Sequence, residues 1–136
     1  MSVFTSAELE FLRTARIARL ATLSPSGSPQ VKPVGFVVDP ATGAIDVPGV
    51  DNPSTQKWRN VGRDGRVALV VDDSGAGAVW SPRVLEVRGR AELLPDLLPA
   101  AAFPGVAPGV IRIHPERIVV FGVEQDGPGS RDVPAA

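Results

Sequence analysis

Apolar and polar residues alternate with a short period over most of this chain, and Gly, Pro, Asp and Ser repeatedly interrupt the alternation. Residues 17–22 read as a strand, Ser24-Pro25-Ser26-Gly27 as a turn, and residues 30–38 as a second strand in which Val34, Phe36 and Val38 share one face. Asp39-Pro40-Ala41-Thr42-Gly43 makes a hairpin turn into a third strand over residues 44–47. A mostly apolar strand covers residues 66–72, and Ser74-Gly75-Ala76-Gly77 is a flexible link to a longer strand over residues 84–93. In that longer strand Val84, Glu86, Arg88 and Arg90 lie on one face, and Leu85, Val87 and Gly89 on the other. The charged face reads either as a ladder across a seam between two copies or as a wet outer surface. Residues 110–113 and 116–123 supply the last strands, divided by His114-Pro115. Trp80 and Phe121 read as core or interface side chains.

Helices are few. Thr5-Ser6-Ala7-Glu8 is a capping box, in which a hydroxyl and a carboxylate satisfy free amides at a helix start. Leu9, Phe11 and Leu12 give that helix its apolar side. Asp51-Asn52-Pro53 announces a second helix, with Asn52 as N-cap and Pro53 at the first position; it runs to about Val61, where Gly62 can stop it in a left-handed conformation. The Pro- and Ala-rich stretch over residues 94–109 has room for one helical turn. The pattern predicts six or seven strands with two or three short helices. That is a mainly β (small α+β) domain, an antiparallel barrel and not a doubly wound parallel sheet. Residues 1–124 hold the domain, and residues 125–136 read as a mobile Gly- and Pro-rich tail.

Composition narrows the chemistry. A chain of 136 residues suits one domain that folds without staples, and it has no cysteine, which excludes thiol catalysis and fits a cytoplasmic protein. No apolar run reaches the length of a membrane span and no signal peptide is evident. A net charge of −1, with acids interspersed among the arginines, argues against nucleic acid as a partner. One histidine, His114, is too few for a metal centre, so no metal is expected; a lone histidine before proline reads as a hydrogen-bonded turn residue. There is no GxSxG elbow, no phosphate loop, no GxGxxG after a strand, and no tyrosine. An enzyme built on this chain therefore needs an external cofactor for the hard chemistry. The sequence marks out no catalytic residue.

The second helix is the best candidate site. A helix N-terminus offers unbonded amides and partial positive charge to an anion. Ser54 and Thr55 add hydroxyls, Lys57 leans back towards the same end, and Asn60 continues the stripe while Trp58 and Val61 face the core. A capped surface helix with a solvated lysine is the alternative reading. Lys32 sits before Pro33, which cannot donate to a ladder, so the strand is unpaired, bulged or at an edge there. Such a gap would let a planar ring meet free backbone groups; an ordinary edge strand is the alternative. Of the 14 cations only Lys32 and Lys57 are lysines, and both fall in this region.

Several segments, taken in order, resemble one family. They are Arg19-Leu20-Ala21-Thr22, Gly27-Ser28-Pro29-Gln30-Val31 and Pro33-Val34-Gly35-Phe36, followed by Ser54-Thr55-Gln56-Lys57 with Asn60, and Arg63-Asp64-Gly65-Arg66-Val67-Ala68-Leu69. Residues 83–93 and 111–118 continue the likeness, which spans roughly residues 5–124. The set is similar to the pyridoxamine 5'-phosphate oxidase-like split-barrel family, and particularly to its actinobacterial branch that uses the deazaflavin coenzyme F420. The resemblance implies a six-stranded antiparallel split β-barrel that works as a homodimer, with cofactor sites between the subunits. It implies that Thr55, Gln56 and Lys57 hold the cofactor phosphate. The backbone from Lys32 through Pro33 and Val34 to Gly35 would run beside the ring, and Val47, Pro48 and Gly49 would border it. Flavin mononucleotide (FMN) oxidases of the family carry Arg and Lys at the places of Gln30 and Gly35, a departure that favours F420. The Arg-Leu-His pattern for pyridoxal phosphate has no counterpart after Phe121, which argues against a vitamin B6 oxidase. The expected activity is hydride transfer between reduced F420 and a small unsaturated substrate. The alternatives are an FMN oxidase or flavin reductase, and a protein that binds the cofactor without turnover.

Overall fold

The computed structural model describes residues 3–75, 77–99 and 103–135. Helix α1 (Ser6–Thr14) leads into strand β1 (Ala18–Leu23), then β2 (Pro29–Val34), β3 (Val37–Val38) and β4 (Ile45–Val47). A 3-10 turn (Asn52–Ser54) and helix α2 (Gln56–Arg63) follow, then β5 (Arg66–Asp73), β6 (Arg83–Leu94), β7 (Val110–Phe121) and β8 (Arg131–Asp132). Seven strands lie side by side in the order β2-β1-β5-β6-β7-β4-β3, and β8 pairs with β7. Every pairing is antiparallel. The mainly β class and the two short helices match the sequence reading.

The strand count differs from six for two reasons. The first is that the predicted second strand breaks at Gly35-Phe36 into β2 and β3, which pair with β1 and β4 and so occupy opposite ends of the sheet. A flat sheet of seven strands would separate those ends by roughly 29 Å. The chain from Val34 to Val37 can span at most roughly 11 Å. The sheet must therefore curl until its edges meet, which is the half-barrel of a split-barrel fold. Val34 stays in the core despite the break, and Phe36 and Val38 pack against it, so the face assigned from period-two spacing holds.

The second reason is β8, two residues long and invisible to any periodicity. Arg131 donates to Glu8 Oε1 at 2.7 Å, to Glu8 Oε2 at 3.0 Å and to the Val3 carbonyl at 2.7 Å. Glu8 is 1% exposed and also accepts from the Thr5 amide at 2.9 Å, completing the predicted capping box. Part of the segment set apart as a tail is thus laid on β7 and ion-paired to α1.

Strand β7 runs unbroken through His114-Pro115, where the sequence suggested two strands. The register shifts beside Gly89, leaving Glu116 as an extra residue opposite β6. A bulge tolerates a proline that cannot donate. Gly89 is required there, because a Cβ would lie 2.1 Å from the His114 carbonyl oxygen. His114 is therefore a strand residue, and its Nε2 lies 2.8 Å from Glu92 Oε1.

Leu20, Leu69, Leu85, Val87, Ile111, Ile113 and Ile118 fill the concave face, with Phe11 and Leu12 of α1 packed in the same cluster. Trp80 and Phe121 are not core; they are 77% and 64% exposed. No helix among the described residues is long and apolar enough to cross a membrane.

Removing one partner of a buried ion pair leaves the other uncompensated. Arg131→Met is expected to lower stability by about 3 kcal/mol in urea unfolding. Arg117→Met breaks only the exposed pair with Asp132 and should change it by less than about 1 kcal/mol. Equal effects would show that Arg131 does not anchor the C-terminal segment.

Candidate anion site at the second helix

The helix predicted from Asn52 starts at Gln56, with Thr55 as its N-cap. The Thr55 hydroxyl donates to the Asn52 carbonyl at 2.7 Å and accepts from the Trp58 amide at 3.4 Å. Asn52 itself is buried, and its side-chain amide donates to the carbonyls of Val47 at 2.9 Å and Gly109 at 3.0 Å. Those carbonyls claim the group that the sequence assigned to a cap. Gly49 fits against this asparagine, since a Cβ would stand 2.3 Å from Asn52 Oδ1. Gly62 does not stop the helix either: it lies within α2 without a positive φ, and Asp64 is the extended C-cap.

The later start moves Lys57 into the first turn. The amides of Gln56 and Lys57 have no hydrogen-bond partner among the described residues. They are the free donors every helix start leaves, and they carry the positive end of its dipole.

What docks α2 is Asn60, which is 0% exposed. Its Nδ2 donates to Thr22 Oγ1 at 3.0 Å and to Gln30 Oε1 at 2.8 Å, and its Oδ1 accepts from Gln56 Nε2 at 2.8 Å. Gln56 Oε1 accepts from Arg59 at 2.9 Å, and Arg63 donates to the Leu23 carbonyl. Thr22 and Gln30 are register partners on β1 and β2, so one buried amide fixes the helix to a defined point of that hairpin.

This docking decides where the lysines go. Side chains of β2 alternate, so Gln30, Lys32 and Val34 share a face. Gln30 reaches α2 and Val34 is buried in the core, so Lys32 faces the same side, opposite the buried Leu20. Lys57 is half-buried, and its pKa is held below the usual 10.5, first by lost solvation and then by repulsion from Lys32. Neither lysine has a carboxylate partner among the described residues. The cations without one are Arg16, Lys32, Lys57, Arg59 and Arg63, and all but Arg16 belong to β2 or α2. Two ammonium groups close enough to repel, beside two unbonded helix amides, are the donor set of a phosphate or carboxylate.

The other residues singled out from sequence divide clearly. Lys32, Thr55, Gln56 and Lys57 are gathered at this helix start. Asn60 is scaffold, with its amide group engaged on both sides. Val34 and Val47 point into the core, so only their backbone can border a ligand. Pro33 is exposed on the other face of β2, Pro48 is buried and Gly49 half-buried. Gly35 opens on free space: a Cβ there would meet nothing within 4 Å. The Ser54 side chain is exposed, and its carbonyl accepts from Arg59 at 3.1 Å. Thr22 was missed as a structural contributor; its signal is a hydroxyl where the β1 alternation calls for an apolar side chain. At the two positions where the resemblance led one to look for a cation, the chain has Gln30, a neutral amide bonded to Asn60, and Gly35.

Comparison with known proteins identifies the family. Residues 4–124 match the family described as pyridoxamine 5'-phosphate oxidase. A 5a,11a-dehydrotetracycline/5a,11a-dehydrooxytetracycline reductase of Streptomyces rimosus is 38% identical over 135 residues, covering 97% of this chain and 94% of the reductase. The crystal structure of a conserved protein from Mycobacterium tuberculosis superposes with a TM-score of 0.67 at 20% identity, covering 98% of this chain and 94% of that one, a likeness of fold. A structure named F420 reductase superposes with a TM-score of 0.56 at 26% identity, covering 75% of this chain and 87% of that one. With nearly its whole described barrel inside the matched span, the chain belongs to the pyridoxamine 5'-phosphate oxidase family.

Proposed function

We propose that this chain is an oxidoreductase that binds coenzyme F420 between two copies of itself and reduces a small unsaturated substrate. The observation that carries this reading is the convergence of Lys32 and Lys57 without a counter-ion at the start of α2. Lys57, Lys32 and the amides of Gln56 and Lys57 would hold the cofactor phosphate, with Thr55 shaping the helix start. The backbone of residues 32–35 and 47–49 would border the ring. When bound, the reduced deazaflavin supplies the hydride. The protein's part is to hold the anion, to present open backbone beside Gly35, and to keep the site at a fixed place on the barrel through Asn60.

Two facts favour F420 over FMN. Gln30 is neutral and already bonded to Asn60, and Gly35 has no side chain, so the set available to a flavin phosphate is thin. The Streptomyces relative and the F420 reductase are named as reductases, which supports the reaction class.

The homodimer has support on the convex face of β2, β1, β5, β6 and β7. Alternation turns Val31, Ala21, Ala68, Val70 and Val119 outward there, beside the Glu86–Arg88 pair. Val31 is 61% exposed, and a β-branched residue so open on a sheet face suits a second copy. Ala68→Arg, placed opposite Arg88, is expected to give monomers in sedimentation velocity and to abolish F420 binding. A variant that stays dimeric, or a monomer that binds F420 normally, would refute the shared site.

Lys57 also makes a separable prediction. A desolvated, unpaired ammonium destabilises the cofactor-free protein, and binding an anion relieves it. Lys57→Gln should raise the cofactor-free melting temperature by about 1–3 °C while weakening F420 binding by about 1–3 kcal/mol, read by fluorescence titration. Loss of stability with unchanged affinity would remove the site.

The pH dependence follows the same sign. Because the folded pKa is lowered, the unfolded chain binds more protons at Lys57, and stability rises with pH between the folded value and 10.5. Affinity for the phosphate moves oppositely, falling as pH rises through the lowered value. The wild-type affinity should therefore drop with a midpoint below pH 10.5, and Lys57→Arg should abolish that drop. A midpoint at or above the free-lysine value would contradict the desolvated placement of Lys57.

A further inference from the structure

A small apolar pocket lies where the chain crosses from β2 to β3, and nothing in the cofactor reading uses it. It has a volume of 220 Å³ and is lined by Leu9, Leu12, Arg13 and Ala15 at the end of α1, and by Phe36, Val37, Val38 and Pro40. Phe36 directly follows Gly35, the residue that opens on free space. Val37 is 38% exposed, so the lining faces solvent instead of closing into the core.

Size decides what fits. An apolar cavity of about 150 Å³ holds a benzene molecule, whereas whole-ligand sites run to about 300–1,000 Å³. The pocket therefore has room for one six-membered ring and its substituents, with the rest of the molecule outside; it is too small for the cofactor. Charge decides what lies at the rim. Among the described residues Arg13 is the only charged one in the lining, and its carboxylate contact is Glu10 at 3.6 Å, with both side chains well exposed. Such a pair contributes little and leaves the guanidinium able to take another oxyanion.

We infer that this pocket is the substrate's ring subsite, with Leu9 as its wall and Arg13 as the group that meets an ionised oxygen. The substrate class is an unsaturated molecule that presents one six-membered apolar ring beside an ionised oxygen. The assignment rests on the proposed reductase site, because it is adjacency to Gly35 that would bring the seated ring to the cofactor. Leu9 and Arg13 are specificity residues here, since neither lies at the lysine pair.

The test uses the full-length cofactor-free protein and 2-naphthoate as probe, with 2-naphthylmethanol as its neutral counterpart, by isothermal titration. Wild type should bind the naphthoate more tightly than the alcohol. Leu9→Trp, which fills the pocket, and Arg13→Glu, an exposed change, should each weaken naphthoate binding by about tenfold. Arg13→Glu should leave the alcohol unaffected, and both variants should bind F420 within twofold of wild type, by about the precision of a titration. Naphthoate binding that Arg13→Glu leaves unchanged would overturn the inference, as would the absence of any naphthoate binding to wild type. Failure of wild type to bind F420 would instead overturn the cofactor reading, since the naphthoate titration contains no cofactor.

Discussion

The side-chain amide of Asn60 is the interaction on which the candidate site depends. It is fully enclosed, and it joins α2 to both strands of the β1–β2 hairpin while accepting from Gln56 within its own helix. A buried amide with partners at set distances fixes a position, where apolar packing alone would permit sliding. Here the fixed quantity is the separation of α2 from β2, and hence the approach of Lys57 to Lys32. The same network engages Gln30, so the neutral residue used in the proposed choice of F420 over FMN is also part of the frame.

The frame supports an arrangement that is unfavourable by itself. Most arginines of the chain answer a carboxylate across or along a strand, as Arg112 does with Asp46 at 2.8 Å and Arg88 with Glu86 at 2.9 Å. The lysines are brought together instead, with water partly removed from one of them. Like charges held near each other in reduced solvent weaken the fold, and a fold tolerates this where a ligand compensates. A candidate anion site of this kind is legible as an exception to the pairing that most of the arginines follow.

Much of the fold was visible in the sequence because its elements carry strong periodic signals. The capping box at Thr5 and Glu8, the apolar side of α1, and strands β5 and β6 stand close to where alternation puts them. What escaped has a common cause: long-range partners overrode local chemistry. Asn52 before Pro53 looks like a cap, but the carbonyls of Val47 and Gly109 reach its amide first. Gly62 looks like a stop, but its neighbours continue the helix for want of any left-handed turn there. His114-Pro115 looks like a break, but the bulge opposite Gly89 absorbs the proline. For the site, the helix, Lys57 and Lys32 could be singled out by residue type, whereas their convergence could not, since it follows from where Asn60 docks. Arg131 carried no local signal at all; it is an arginine in a Gly- and Pro-rich stretch whose partner lies at the other end of the chain.

The break at Gly35 links these layers. Were β2 continuous to Val38, its residues would lie in one ladder beside β1 and the sheet could remain open. Because it crosses to β4 within a few residues, the sheet curls, and the crossing segment carries backbone that no strand neighbour covers. A side chain at residue 35 would fill that space, and its absence leaves it clear. The lysine pair lies on the β2 side of the crossing and the apolar pocket on the β3 side. An anionic group held by the lysines and an apolar ring held against α1 would thus be placed on either side of one stretch of open backbone. Barrel closure, which is needed to bury the core, is what brings the lysine pair and the apolar pocket to neighbouring positions.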